Sequence, residues 1–260
     1  WEQRPKHEQT LQSVFKLTAA CQVNENDASN TTVLDRLFDH VRRNTPNSFA
    51  LAQYEKFRIG AGKTIRSVLI SLNSRLGKFD FEEMRKMTSK DTINMPSIGQ
   101  RKTAVFVIIS DKDRSLDGYA NLFISQTMDE LCRHADDRCK NGELKVPVRF
   151  ILDDFATNCI IADFPRMIAS IRSRGISTML MIQCESQLEE YYGHNGRTII
   201  GNSDTYIYMG GNDLETAKAV AARCDLPLKK ILYMPVGTNW IFRRGQMPVN
   251  AKNFDLNAFE

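Results

Sequence analysis

Apolar residues return along this chain in two different rhythms, and the rhythm changes once. Over roughly the first 95 residues they recur every three or four positions, the spacing of one helical face. Leu11, Val14, Phe15 and Leu17 make the first such face, and Val33, Leu34, Leu37, Phe38 and Val41 the second. The second ends in Arg42-Arg43-Asn44-Thr45-Pro46. The same spacing predicts helices over 49–57, over 65–76 with a stop at Gly77, and over 81–87 before Thr88-Ser89-Lys90-Asp91. Residues 24–32 are polar and read as a loop. Nothing in this part reads as a strand, so residues 1–97 are expected to form an all-α domain.

The second rhythm begins at Thr103. Ala104-Val105-Phe106-Val107-Ile108-Ile109 is a near-continuous apolar run ending at Ser110-Asp111, the pattern of a strand covered on both faces. Strands predicted over 146–152, 176–182, 203–209 and 239–242 then alternate with helices over 119–139, 163–174, 187–192 and 213–224. The helix over 163–174 carries its own punctuation, with Asp163 as N-cap, Pro165 in the first turn and Gly175 at the end. Such alternation argues for an α/β unit over 98–260, a mostly parallel sheet with helices on both faces. The strand ends of that sheet share one edge, where α/β proteins bind ligands. Asp111, Asp153, Asp154, Gln183 and Gly210 are expected on that edge.

Composition narrows the picture only a little. The chain has 260 residues, 42% hydrophobic and 25% charged, enough for one or two domains with real cores. A net charge of +4 is too small to identify a nucleic-acid partner. No apolar run is long enough to span a bilayer, and no signal-peptide pattern is present. The six cysteines form no C-x-x-C pair, which fits free thiols in a reducing compartment. Cys132, His134 and Cys139 lack a fourth zinc ligand nearby. Trp1 is not an initiator Met and the chain runs straight into a helical pattern, so a trimmed piece of a longer protein is expected.

Candidate chemistry concentrates at the end of the second strand. Val148-Arg149-Phe150-Ile151-Leu152 runs into the adjacent acids Asp153-Asp154. Two carboxylates at such an edge would hold Mg²⁺ and handle a water molecule; the alternative is an Asp-rich turn with no chemistry. Gly60-Ala61-Gly62-Lys63-Thr64 looks like the end of a phosphate-binding P-loop. The full pattern needs glycine where Phe57 stands and a buried strand where residues 54–58 read as a helix end. The segment is therefore expected to be a helix cap followed by a new helix. Lys56, Arg58 and Lys63 stay as candidates for contacts to a nucleic-acid backbone, which would be independent of base sequence.

Taken in order, these segments resemble the VirD4/TraG-type coupling proteins of type IV secretion and conjugation. Phe150-Ile151-Leu152-Asp153-Asp154-Phe155-Ala156 resembles their Walker B segment, and Ile168-Ala169-Ser170-Ile171-Arg172-Ser173-Arg174-Gly175-Ile176 the helix after it. Gln183 with Ser186-Gln187-Leu188 and Tyr192-Gly193 resembles their glutamine motif. Asn202-Ser203-Asp204-Thr205 and Met209-Gly210-Gly211-Asn212 resemble the next strand. Leu34-Asp35-Arg36-Leu37-Phe38 and Gly60-Ala61-Gly62-Lys63-Thr64 resemble the all-α domain inserted between Walker A and Walker B.

The resemblance implies part of a RecA-like P-loop NTPase core, in a membrane-anchored hexameric ATPase. That ATPase works at the cytoplasmic face of the bacterial membrane, recruits relaxase–DNA complexes and protein substrates to the secretion channel, and drives single-stranded DNA through it. ATP and Mg²⁺ are the implied cofactors. By position Asp153 would organise Mg²⁺, mostly through water. Asp154 stands where the family usually has Glu, the residue that orients and deprotonates the attacking water, and is one methylene shorter. Gln183 would sense the γ-phosphate. Arg172 and Arg174 should lie at the far end of the sheet, where a neighbour in a ring could use Arg172 as an arginine finger; the alternative is two arginines on a helix dipole. No Walker A precedes the α domain, so the chain alone is expected to bind ATP weakly and not to hydrolyse it. Two other readings compete: a docking module for relaxosome proteins without ATPase activity, and an FtsK-like chromosome translocase, which the inserted α domain argues against.

Overall fold

The helical rhythm of the first part is realised in five helices: α1 (Leu11–Ala19), α2 (Val33–Asn44), α3 (Phe49–Arg58), α4 (Gly62–Leu76) and α5 (Glu82–Met87). The structure is a computed structural model that describes residues 5, 8–19, 31–60, 62–110, 112, 114–157 and 159–258. The chain divides into two compact units, Trp1–Ile93 and Asn94–Glu260. In the first, Thr32 starts α2 with a reciprocal cap. Its hydroxyl accepts from the Asp35 backbone N–H, and the Asp35 carboxylate accepts the Thr32 N–H at 2.7 Å. The same carboxylate accepts the Tyr54 hydroxyl at 2.7 Å and pairs with Arg58 at 3.1 Å. Phe38 stacks on Tyr54 with centroids 3.9 Å apart and Arg42 pairs with Glu55 at 3.2 Å, so a polar knot, an aromatic pair and an exposed ion pair join α2 and α3. Leu51, Ile65 and Met84 are the buried aliphatic positions of this unit.

Among the described residues, α3 ends at Arg58 and α4 begins at Gly62, with no strand beside either. The helix-cap reading of the P-loop-like segment therefore holds, although Ala61 itself lies outside the described residues. Most of the polar stretch over 24–32 lies outside them too.

The second unit is built on α6 (Asp117–Arg138) and the parallel pair β1 (Val148–Leu152) and β2 (Ile176–Leu180), in register from Val148 opposite Ile176 to Leu152 opposite Leu180. Ile124, Met128, Leu131 and Ala135 return at helical spacing on α6 and are buried. α7 (Phe164–Met167), α8 (Glu185–Tyr192) and α9 (Gly196–Gly201) complete the surroundings of the pair. One core joins Ile124 and Met128 to Leu152, Phe155, Phe164 and Leu188. Then β3 (Thr205–Tyr208), α10 (Leu214–Cys224), α11 (Leu228–Leu232), β4 (Thr238–Arg243) and β5 (Val249–Lys252) follow. Asp213 caps α10 by accepting the Thr216 N–H at 2.8 Å.

Four expectations are corrected. The apolar run 104–109 is not a strand: it forms no ladder, and Phe106 and Ile108 are 87% and 96% exposed. Strand residues need a partner for their backbone groups, and the only described ladder on β1 is the one with β2. The helix expected over 163–174 is two pieces, α7 and a 3₁₀ turn over Ile171–Arg174. Asp163 does not cap it, because its backbone is left-handed at φ 57° and its side chain makes no cap bond. Gly175, at φ 74°, does end the second piece. The strand Thr238–Arg243 is antiparallel, lying between β3 and β5 in a sheet of its own. That arrangement follows from the hairpin after Arg243, whose Gly245 takes φ 73°.

Candidate functional site

β1 delivers its last residue, Leu152, into the core, and the chain then turns sharply. The Asp154 N–H donates to Asp153 Oδ1 at 3.1 Å, and the Thr157 N–H closes on the Asp154 carbonyl at 3.0 Å. Asp154 and Ala156 both take positive φ, 47° and 67°. A left-handed conformation costs an ordinary residue about 1–2 kcal/mol, so the surroundings must impose this turn. They do so through Phe155. Its N–H donates to the Met181 carbonyl at 2.8 Å, just beyond β2, and its ring is fully buried against Phe164 and Tyr192. The Tyr192 hydroxyl in turn accepts the Ile161 N–H at 3.0 Å, and Asn121 accepts that of Ile160 at 3.1 Å. With Phe155 anchored inward, Asp153 is exposed and Asp154 half-buried at the end of β1. The strained residues of the turn are Asp154 and Ala156.

Gln183 emerges from the neighbouring strand end. Its backbone N–H donates to Gln187 Oε1 at 3.0 Å, in the first turn of α8. Gln187 Nε2 donates to Thr157 Oγ1 at 3.2 Å and approaches Gln183 Oε1 at 3.5 Å. Arg114 donates to the Thr157 carbonyl and pairs with Asp117 at 2.9 Å. Asp153, Asp154 and Gln183 are thus drawn to one edge by Thr157 and Gln187. The sequence pattern gives Gln187 no role of its own and does not single out Thr157. The legible signal was Gln187 four residues after Gln183, one helical turn away. Asp111 lies outside the described residues. Gly210 follows β3 in the other sheet, packed near Met234, and so does not share the strand edge of β1 and β2.

The two arginines separate. Arg174 is committed: its guanidinium grips Asp136 through two bonds of 2.9 and 2.8 Å and donates to the Ser170 carbonyl at 2.8 Å. Arg172 is exposed and its side chain has no partner among the described residues. Both stand where β2 begins, the opposite end of the strand pair from Asp153. In the first unit Arg58 is spent on Asp35, while Lys56 and Lys63 are exposed at the end of α3 and the start of α4.

The donor set fits one kind of metal. Asp153 and Asp154 offer hard oxygens, and neither carboxylate has a cationic partner among the described residues. Mg²⁺ is held by one or two carboxylates that leave room for water and phosphate, which suits an exposed pair. No group of three or more His, Cys, Asp or Glu able to hold a metal occurs among the described residues. Burial pushes the Cys159 thiol up to about 11, which leaves it a packing group rather than a nucleophile. A cavity of about 670 Å³ runs along β1 to Asp153 and Asp154, walled on one side by Val105, Val107 and Ile109.

Solved structures similar to this chain agree in fold. The chain superposes on the bacterial conjugative coupling protein TrwBdeltaN70 in its unbound form with a TM-score of 0.62 at 13% identity, covering 94% of this chain and 58% of that one. TrwB in complex with the ATP analogue ADPNP gives 0.62 at 14%, and TrwB in complex with ADP and Mg²⁺ gives 0.60 at 14%, with the same coverage. These likenesses establish the RecA-like α/β architecture, and the chain spans 58% of the length of those proteins. No curated protein matches the chain. No helix among the described residues is long and apolar enough to cross a membrane. The family model for type IV secretory system conjugative DNA transfer matches residues 2–224, and the chain belongs to that family.

Proposed function

We propose that this chain carries the acidic, water-handling half of an ATP-hydrolysing site in a coupling protein that moves DNA through a type IV secretion channel. The observation that carries the reading is the turn after β1, left-handed at Asp154 and Ala156 and tied through Thr157 and Gln187 to Gln183 on the next strand end. The TrwB complexes with ADPNP and with ADP and Mg²⁺ support the choice of nucleotide and ion. Mg²⁺, when bound, would neutralise phosphate charge. Asp153, the more exposed acid, holds the ion through water; Asp154 orients and deprotonates the attacking water; Gln183 contacts the terminal phosphate. In a hexamer Arg172 reaches a neighbour's nucleotide. The setting we propose is the cytoplasmic face of the bacterial membrane, with single-stranded DNA, relaxase proteins and channel proteins as partners.

This sequence has Phe57 where a P-loop needs glycine, so the phosphate cradle must come from elsewhere and the chain alone does not turn over ATP. In a protein extended N-terminally to include a Walker A segment, Asp154→Asn should lower ATP turnover by about 10²–10⁴-fold, the range for losing a general base, and leave ATP affinity within about threefold. Wild-type turnover in that variant defeats the assignment. Turnover by the 260-residue chain itself, lost in Asp154→Ala, defeats the claim that it is only half a site.

A second reading makes the first unit a docking module for relaxosome proteins. The exposed Phe49 and Ile59, at either end of α3, favour it. Capture of relaxase by residues 1–97, lost on Phe49→Ser, is the corresponding test.

A further inference from the structure

We infer that Gln187 is a positioning residue that fixes which way the Gln183 amide faces and holds the Asp154 turn in step with it. The inference rests on the hydrolytic reading above and adds to it a group that would not itself touch nucleotide.

An amide side chain has two donors on nitrogen and an accepting oxygen, and which end faces a ligand is set by its neighbours. Gln187 uses both ends here. Its oxygen takes the Gln183 backbone N–H at 3.0 Å, fixing where the Gln183 side chain begins. Its nitrogen faces Gln183 Oε1 at 3.5 Å and Thr157 Oγ1 at 3.2 Å. With Gln183 Oε1 turned toward Gln187, the Gln183 NH₂ is the end left facing outward. That end donates, and a phosphate oxygen accepts. Remove the Gln187 nitrogen and the Gln183 amide is free to flip, presenting its oxygen to an anion part of the time. The second arm of Gln187 reaches Thr157, whose own N–H closes the turn on the Asp154 carbonyl. One side chain therefore couples the amide that would meet phosphate to the turn that carries the carboxylate.

The coupling gives an inverted ranking of variants. Gln187→Glu is nearly the same shape and still accepts the Gln183 N–H, but it has lost both donors. A carboxylate there pulls the Gln183 NH₂ inward and turns its oxygen out. Gln187→Leu removes both arms and lets the amide flip without bias. For packing alone, Glu should be the milder change. For amide orientation, Glu is the worse one.

The experiment uses the N-terminally extended protein with its Walker A segment, measuring kcat, KM for ATP, binding of a fluorescent ATP analogue and melting temperature. Expected are a roughly tenfold fall in kcat for Gln187→Leu and a fall of about 10²-fold for Gln187→Glu, the scale of losing a preorganised donor. Nucleotide affinity should stay within about threefold in both. In a Gln183→Ala background the gap between Gln187→Glu and Gln187→Leu should close, because that gap is read through the Gln183 amide, while the arm to Thr157 is lost equally in both. Thr157→Ser keeps the hydroxyl and should keep wild-type kcat, while Thr157→Val should lose it. If Gln187→Glu is no worse than Gln187→Leu, or stays worse in the Gln183→Ala background, the inference fails. A dead Asp154→Asn beside fully active Gln187 variants sinks this inference alone. An active Asp154→Asn sinks the hydrolytic reading and this inference with it.

Discussion

Asp154 takes a left-handed backbone, φ 47°, which a short carboxylate tolerates better than a longer one because it can bond the local main chain. That gives a local reason for Asp at a position where the resembled family usually has Glu. Asp35 is a carboxylate with a different duty. It accepts from the Thr32 N–H and hydroxyl and from the Tyr54 hydroxyl, and it pairs with Arg58. Burial pushes its pKa up, but the bonds from Tyr54 and Thr32 and the charge of Arg58 outweigh that and hold it below the ordinary 3.8. The folded value is thus the depressed one. The stability Asp35 contributes is fully present above pH 3.8 and is lost as pH falls through the folded value. Asp35→Ala removes a helix cap and orphans Tyr54 and Arg58, a loss of about 2–3 kcal/mol. Denaturant unfolding followed by circular dichroism should show that loss at neutral pH. In Asp35→Asn the acid-side decline in stability should flatten.

Packing between short elements is set by what backbone can approach backbone. A methyl group at Gly196 would stand 2.8 Å from the carbonyl carbon and oxygen of Leu188 and 3.1 Å from the Glu189 nitrogen. Gly196 has ordinary helical angles, φ −54°, so alanine there would by propensity gain about 1 kcal/mol. Main-chain atoms cannot step aside, and overpacking costs about 1–3 kcal/mol, so Gly196→Ala should lower the melting temperature. Gly118, in the first turn of α6, is the control: nothing lies within 4 Å of an added methyl, and Gly118→Ala should raise it. Neither outcome can be read from periodicity, and the same limit explains what the sequence left out. The α-helices of the first unit, α6 and α10 were legible because a 3.6-residue repeat is local information. The apolar run 104–109 misled because a strand exists only with its ladder. The break between α7 and the 3₁₀ turn, the antiparallel partnership of β4 and the bridge from Gln187 to Thr157 depend on residues distant in the chain. Asp153, Asp154 and Gln183 were legible because adjacent acids and a strand-end amide stand out locally, whereas Thr157 looks like any turn residue.

At the scale of the whole molecule, the two ends of the strand pair carry different halves of the proposed chemistry. Asp153 follows the carboxyl end of β1, and Arg172 precedes the amino end of β2. A five-residue strand at about 3.3 Å per residue separates them by roughly 17 Å, beyond the reach of an arginine within one chain. Arg174 is held by Asp136 and Ser170, so it belongs to the fold. Arg174→Ala should therefore cost about 0.5–1.5 kcal/mol, a modest figure because both partners are partly exposed. Arg172 has no partner to lose among the described residues, and Arg172→Ala should change stability by less than about 0.5 kcal/mol. If a neighbour in a ring uses it, the same variant should lower hydrolysis in the assembled, extended protein by about 10³-fold. Mixing then discriminates. Arg172→Ala subunits keep Asp154, and Asp154→Asn subunits keep Arg172, so neither assembly hydrolyses ATP by itself. Subunits exchanged in equal amounts put an intact Asp154 against an intact Arg172 at about a quarter of interfaces. Recovery toward a quarter of wild-type turnover places Arg172 in the neighbour's site; a mixture as inactive as its components removes it from that site.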